Sequence, residues 1–462
     1  MTDFRESGEA APIESVDQLV EEFHLAGKPR ERWTIGTEYE KLVIDPRTGQ
    51  AVPFSGARGI ETLLRELSER FDWEPQEESG RTIALRRGKA SITLEPGGQV
   101  ELSGEPCATL HCTRDELATH VRELSAVGAE LGIAFLGLGM QPVSTLDEIE
   151  WVPKRRYAIM REYMPRVGTL GHRMMKQTAT VQANIDYADE GDAMRKLRVG
   201  MATAPLVNAM FANSCISEGR LNGQMSYRGY VWTDTDRARC GLLPFAFRDG
   251  SSFADYVEWA LDVPLYFVLR RGKYLTEATG IPFRRFLEHG VAGERATLDD
   301  WNLHLTTLFP EVRLKGYIEL RSADSQTPDR VLAVPALVKG VFYEQDCLDA
   351  AFDLVKRWSF ADCVSLYGEV TRESLRARMK GIQVLELARE LGAIAEEGLR
   401  RQAALDSEGR DERVYLERLR EELSAGKSPA QGLADRWSGP WHGEARRLVE
   451  AVAFPSPGAN PP

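Results

Sequence analysis

The sequence predicts an α+β fold built on an antiparallel sheet, and three observations carry that prediction. Strand-like segments crowd the first half of the 462 residues, while the chain from Val331 to about residue 453 is almost all helical. Strands and helices do not alternate regularly, which argues against a parallel, doubly wound sheet. No Gly-x-x-x-x-Gly-Lys-Ser/Thr run is present, so the phosphate-cradling loop of such folds is missing as well.

Each element has a local reason. Val16, Leu19, Val20 and Phe23 recur at helical spacing within residues 13–26. Arg32 to Asp45 alternates like a strand, and Asp45-Pro46-Arg47-Thr48-Gly49 turns the chain. Leu63, Leu64 and Leu67 mark a helix over 60–71, and strands are expected over 82–85 and 90–103. A helix over 113–131 is expected to start at Thr113, with Glu116 completing a capping box. A strand (133–138), a basic and aromatic helix (154–164), a strand (178–187) and a long helix from Glu190 follow. Residues 220–250 are loop-rich, helices return over 253–261 and near 283–288, and Val312 to Ser322 is a strand. No Gly-, Pro- or Ser-rich linker divides the chain. Residues 13–400 therefore form one expected domain, with 401–453 as a helical segment packed on it and 1–12 and 454–462 as disordered ends.

The bulk numbers narrow the function classes. A net charge of −12 argues against a nucleic-acid partner, while a local basic pocket for an anionic substrate remains compatible with it. No apolar run is long enough to cross a membrane. The polar, acidic first residues lack the order of a signal peptide, which points to the cytoplasm. The six cysteines show no zinc spacing and are expected to be reduced thiols; Cys107 and Cys112 are the pair to watch.

Four segments concentrate the chemistry. In Ile35-Gly36-Thr37-Glu38-Tyr39-Glu40-Lys41, Glu38 and Glu40 share a strand face about 7 Å apart. Such a pair is either a solvated face or a site for a cation. In Leu94-Glu95-Pro96-Gly97-Gly98-Gln99-Val100-Glu101-Leu102, the two glycines are expected to supply positive φ in a hairpin. A three-residue loop over 96–98 puts Glu95, Gln99 and Glu101 on one face and Leu94, Val100 and Leu102 on the other. In Arg313 to Ser322, Tyr317, Glu319 and Arg321 share a face, as an ion pair or as a metal ligand beside a phosphate clamp. In Thr178 to Asp186, Gln182, Asn184 and Asp186 share a face. Up to five glutamates thus lie on strand faces of one domain, and hard oxygen donors of this kind suit Mg²⁺ or Mn²⁺.

These segments, with Gly219 to Asp236, Leu261 to Phe267, Leu305 to Arg313 and Trp437-Ser438-Gly439-Pro440-Trp441, closely resemble the plant and alphaproteobacterial type of glutamate–cysteine ligase over roughly residues 30–445. The resemblance implies a curved antiparallel sheet of the glutamine-synthetase and guanido-kinase-like type with outer helices. It implies ATP as co-substrate, two or three Mg²⁺ with Mn²⁺ as an alternative, and attack of glutamate on ATP to give γ-glutamyl phosphate, which cysteine then intercepts to give γ-glutamylcysteine for glutathione synthesis. Carried over by residue, Glu38, Glu40, Glu95, Glu101 and Glu319 resemble the metal ligands, and Arg321 with Glu319 the catalytic pair. Gln182, Asn184 and Lys315 resemble nucleotide-binding groups. Arg228 suits the α-carboxylate of glutamate, with Trp232 and Tyr230 as pocket walls; a plain ion pair of Arg228 with Asp234 or Asp236 is the competing reading.

No covalent nucleophile is needed, and the seven histidines are read as structural. Plant members carry regulatory cysteines where this chain has Arg114, Leu332 and Ala278. That switch is not expected here, leaving Cys112 as the candidate for a substitute bridge and activity insensitive to mild reductant. The partners expected are glutamate, cysteine and ATP, with the chain a monomer or weak homodimer. A ligase for another amine keeps the fold and changes only the acceptor. A guanidino-phosphate kinase would release no phosphate, and a dead scaffold would leave its acidic cluster unexplained.

Overall fold

In the computed structural model, residues 11–455 are described. Most of the expected disordered ends (1–10 and 456–462) lie outside the described residues. The parts that are described are ordered: Pro12 bridges to Thr297, and Phe454 is buried, stacks on Tyr39 and donates its N–H to the Phe135 carbonyl.

The centre is a nine-stranded antiparallel sheet. Its strands are β1 (Ile35–Ile44), β2 (Glu74–Glu78), β3 (Arg81–Arg87), β4 (Ala90–Leu94), β5 (Val100–Ser103), β6 (Ala134–Leu136), β7 (Thr180–Ile185), β8 (Val312–Leu314) and β9 (Ile318–Asp324). Their order is β8-β9-β7-β1-β5-β4-β3-β2, with β6 also paired to β1. The polar β2, with no apolar alternation to announce it, is an exposed edge strand that the sequence pattern did not reveal.

Among the described residues, seven α-helices precede residue 240: α1 (Val16–Leu25), α2 (Ile60–Arg70), α3 (Leu110–Leu131), α4 (Arg155–Tyr163), α5 (Gly171–Gln177), α6 (Glu190–Met210) and α7 (Tyr227–Trp232). Then come α8 (Phe253–Asp262), α9 (Phe283–His289), α10 (Leu298–Leu305), α11 (Ala333–Phe342), α12 (Gln345–Val355), α13 (Phe360–Glu373) and α14 (Val384–Gln402). The last three are α15 (Glu417–Ala425), α16 (Pro429–Ser438) and α17 (Ala445–Val452).

Strand alternation sorts the sheet into two faces. Tyr39, Ile92, Leu102, Val181, Ala183 and Leu320 enter the main core, against which α6 and α11 pack. A second core joins Leu42, Ile44 and Leu136 to Leu433, Trp437, Trp441, Leu448, Val449 and Val452, so α16 and α17 cover one end of β1.

Helix α3 begins earlier than expected. Thr109 is its N-cap and accepts from the Cys112 N–H, while Glu116 accepts from the Glu105 N–H instead of closing a capping box on Thr113. Cys107 and Cys112 form a disulfide, which corrects the expectation of six reduced thiols. Their Cα atoms are 5.8 Å apart because Cys107 is held by paired backbone bonds to Ile35 and Cys112 sits in the first turn of α3. Cys215, Cys240, Cys347 and Cys363 are free.

Candidate active site

The polar face of the sheet is assembled by register. Glu40 lies opposite Glu101, which lies opposite Thr93; Glu38 lies opposite Gln182; Glu319 lies opposite both Asn184 and Arg313. Directly opposed residues on one face are close enough to touch, so residues far apart in the chain form one row. The β4–β5 hairpin has the three-residue loop that the sequence pattern favours: Leu94 pairs with Val100, and the Glu95 N–H donates to the Gln99 carbonyl. Only Gly98 has positive φ, at 84°. Gly97 serves another purpose, since a Cβ there would strike the Lys176 backbone.

The row opens into a cavity of about 590 Å³. Glu40, Glu95 and Glu101 can each offer one oxygen with all three atoms within 4.8 Å of one another. Burial, then the neighbouring charges of Glu95 and Glu101, push Glu40 well above the usual carboxylate range. Burial and Glu95 raise Glu101. Three converging carboxylates, those of Glu40 and Glu101 buried and that of Glu95 half-buried, are all hard oxygen donors and fit a Mg²⁺-type cation. The cluster is braced from behind: the Thr180 N–H donates to Glu40 at 3.0 Å and the Ser103 hydroxyl to Glu101 at 2.8 Å. Glu38 accepts from the amides of Gln182 and Asn184, each at 3.0 Å, and is raised by burial and by Glu319.

Glu319 is placed differently from the sequence expectation. Its carboxylate does not join the three converging glutamates; it is fully buried and held by Arg313 at 2.7 Å, by Lys315 at 3.2 Å and by Arg321. Burial would raise it, but these three cations together hold it well below the carboxylate range. Arg313 had no assigned role in the sequence because its bidentate contact comes from the adjacent strand. Arg321 also donates to the Gln182 side-chain oxygen and lies in a one-residue bulge of β9, where pairing shifts between Leu320 and Ala323. Bulges of this kind re-aim side chains beside sites.

Arg228 lines the cavity, donates to the Arg321 carbonyl at 2.9 Å, and has no ion pair with Asp234 or Asp236. Asp236 is instead held by Arg239 at 2.6 Å. Trp232 lines the same cavity beneath the Arg228 guanidinium. Tyr230 does not: it is 41% exposed and stacks on Tyr227, because α7 turns residue 230 away from the neighbours it would share in an extended loop. Asp186 also lies off the site, paired to Lys28 at 2.6 Å. Lys154, Arg156 and Tyr157 of the basic helix segment enter the cavity wall. Burial brings Lys154 down to about 8, and Glu95 and Glu101 oppose that shift. The density of Lys and Arg between 154 and 166 was the available signal.

The family model for Glutamate-cysteine ligase family 2 matches residues 34–451. The chain belongs to this family. The matched span opens just before β1 and closes within α17, so it contains the whole carboxylate row, the cation set and the C-terminal cover. Among family relatives, the chloroplastic glutamate–cysteine ligase of Brassica juncea is 43% identical over 417 residues, covering 90% of this chain and 79% of the relative. That of Nicotiana tabacum is 42% identical, covering 96% and 84%. The chain also resembles the solved glutamate–cysteine ligase of Francisella tularensis in complex with AMP, with a TM-score of 0.53 at 12% identity over 93% of this chain and 90% of that one. This last likeness bears on the fold.

Proposed function

We propose that the chain ligates the γ-carboxylate of L-glutamate to the amine of L-cysteine at the expense of ATP, the first step of glutathione synthesis. The observation that carries this reading is the meeting, in one cavity, of a three-carboxylate cluster with Arg228, Arg313, Lys315 and Arg321. An enzyme moving a phosphoryl group from a triphosphate to an amino acid needs both signs of charge side by side.

Glu40, Glu95 and Glu101 would hold the cation, with Glu38 beside them. Bound Mg²⁺ supplies charge neutralisation for the triphosphate. Arg321 and Lys315, both paired to Glu319, would meet the transferred phosphoryl group. Arg228 would take the α-carboxylate of glutamate, with Trp232 as a wall. Glutamate's γ-oxygen attacks the terminal phosphorus and ADP leaves. The cysteine nitrogen then attacks the acyl carbon, phosphate leaves with the C–O bond electrons, and the amine gives up a proton. We place the enzyme in the cytoplasm as a monomer or weak homodimer.

The test is mass detection of product from ATP, Mg²⁺ and glutamate with cysteine or a panel of other amines. γ-Glutamylcysteine with matching ADP and phosphate supports the reading. A faster reaction with another amine replaces the acceptor, and ADP release without phosphate would point to a kinase.

A further inference from the structure

Asp324, the last residue of β9, is no part of the cavity wall, yet it is fully buried and every one of its side-chain bonds runs toward the segment that leads into α7. One carboxylate oxygen accepts from the Asn213 N–H at 2.7 Å and from the Ser214 hydroxyl at 2.6 Å. The other accepts from the Ser226 hydroxyl at 2.9 Å. Both serines pass the constraint on. Ser214 Oγ accepts from the Arg228 N–H at 3.1 Å, and Ser226 Oγ caps α7 by accepting from the Gly229 N–H at 3.0 Å.

We propose that Asp324 is a positioning residue for Arg228, orienting two serine hydroxyls that fix the first turn of α7 so that the guanidinium meets the carboxylate of the amino-acid substrate. This rests on the function proposed above.

The chemistry of the donors makes the arrangement one-way. An ionised carboxylate only accepts, and a serine hydroxyl has a single hydrogen. Asp324 takes the hydrogen of each serine, which leaves the serine lone pairs for the N–H groups of Arg228 and Gly229. A neutral amide in its place breaks the pattern in either orientation. Its NH₂ would face the Asn213 N–H and the Ser214 hydroxyl, or it would oblige Ser226 to accept and turn its hydrogen toward Gly229 and the Asn208 amide, which also donates to it. The Asp324 side chain packs directly on Gly139, where a Cβ would strike it. At the far end, Arg228 is fixed to the Arg321 carbonyl at 2.9 Å. Asp324 follows Arg321 in the same strand, so one strand sets both ends of the arginine.

The experiment compares full-length wild type with Asp324→Asn, Ser214→Ala and Arg228→Lys, varying glutamate at saturating ATP, Mg²⁺ and cysteine. The expected result is a glutamate KM raised about tenfold or more in Asp324→Asn and several-fold in Ser214→Ala, with kcat and the ATP KM within about twofold of wild type. A purely structural role would lower the active fraction, seen as kcat and folded signal falling together at unchanged KM. That outcome in both variants overturns the inference, and Ser214→Ala alone decides if Asp324→Asn does not fold. An unchanged glutamate KM in Arg228→Lys removes Arg228 from carboxylate binding and the inference with it. A wild type that makes no γ-glutamyl product overturns the functional reading, a failure separate from unchanged KM values in an active enzyme.

Discussion

Glu40 is 8% exposed and is repelled by Glu95 and Glu101. Folding alone gains nothing from this arrangement, since burying like charges is unfavourable without a counter-ion. Glu40→Gln is therefore expected to raise the Tm of the metal-free protein while lowering turnover about 100-fold or more. Thermal melts with and without Mg²⁺ beside kcat measurements check it; a lowered metal-free Tm would contradict it. His304 makes a pH-dependent prediction. Burial, reinforced by the charge of Arg239, holds it at about 3, and it bonds to the Ala260 carbonyl at 2.9 Å. An unfolded histidine binds its proton near 6.5, so the unfolded state takes up a proton that the native state refuses. Stability should fall as pH drops from about 6.5 towards 3, by about 1.4 kcal/mol per unit from this group. His304→Gln, which can still donate to that carbonyl, should flatten the slope in denaturant titrations. At this scale the sequence revealed the carboxylate pairs through parity alone. It could not reveal Arg313 at Glu319, because that contact comes from a neighbouring strand, nor the outward turn of Tyr230, which depends on α7 being a helix.

Among the elements, the legible ones carried their own pattern. β1 and the β4–β5 hairpin carry enough polar and apolar alternation that their shared faces can be read from the letters, and the apolar set Leu94, Val100 and Leu102 favours the three-residue loop over a two-residue one. β2 shows no such pattern because it buries little, and the bulge in β9 is invisible because it is defined only against β7. The link from β5 to α3 also departs from the sequence expectation. Thr109 and Thr113 both stand at plausible starts, and the choice was made by Cys107 docking on β1. The disulfide closes that link, so thiol titration of the unfolded, unreduced protein should find the four cysteines 215, 240, 347 and 363 and no more. Replacing Cys107 and Cys112 by serine should cost about 2 kcal/mol, the loop-closure value for so short a ring. Six reactive thiols would refute the bridge.

For the whole molecule, the C-terminal segment is more than an appendage. Leu433, Trp437, Trp441, Leu448, Val449 and Val452 bury themselves against Leu42, Ile44 and Leu136. At about 1.5–3 kcal/mol per buried side chain, the six contribute on the order of 10 kcal/mol, comparable with the net stability of a typical domain. A chain ending at residue 426 should not fold, as circular dichroism and hydrogen exchange would show; a cooperative melt within a few degrees of wild type would disprove it. The sequence marked this region as helical but could not say what it covers, since its partners Leu42, Ile44 and Leu136 lie far back in the chain, on other strands.

One feature of β1 reaches beyond the site. Its neighbours alternate, with Glu38 and Glu40 toward the cavity and Tyr39 toward the interior. A slip of one position against β5 or β7 would exchange the two sets, sending acids into oil and an aromatic ring into water. Misassembled copies therefore cannot be half-working enzymes; they are unstable and inert together. A preparation of this protein should behave as a mixture of fully competent and wholly silent molecules, and its specific activity should serve as a direct gauge of correctly threaded chain.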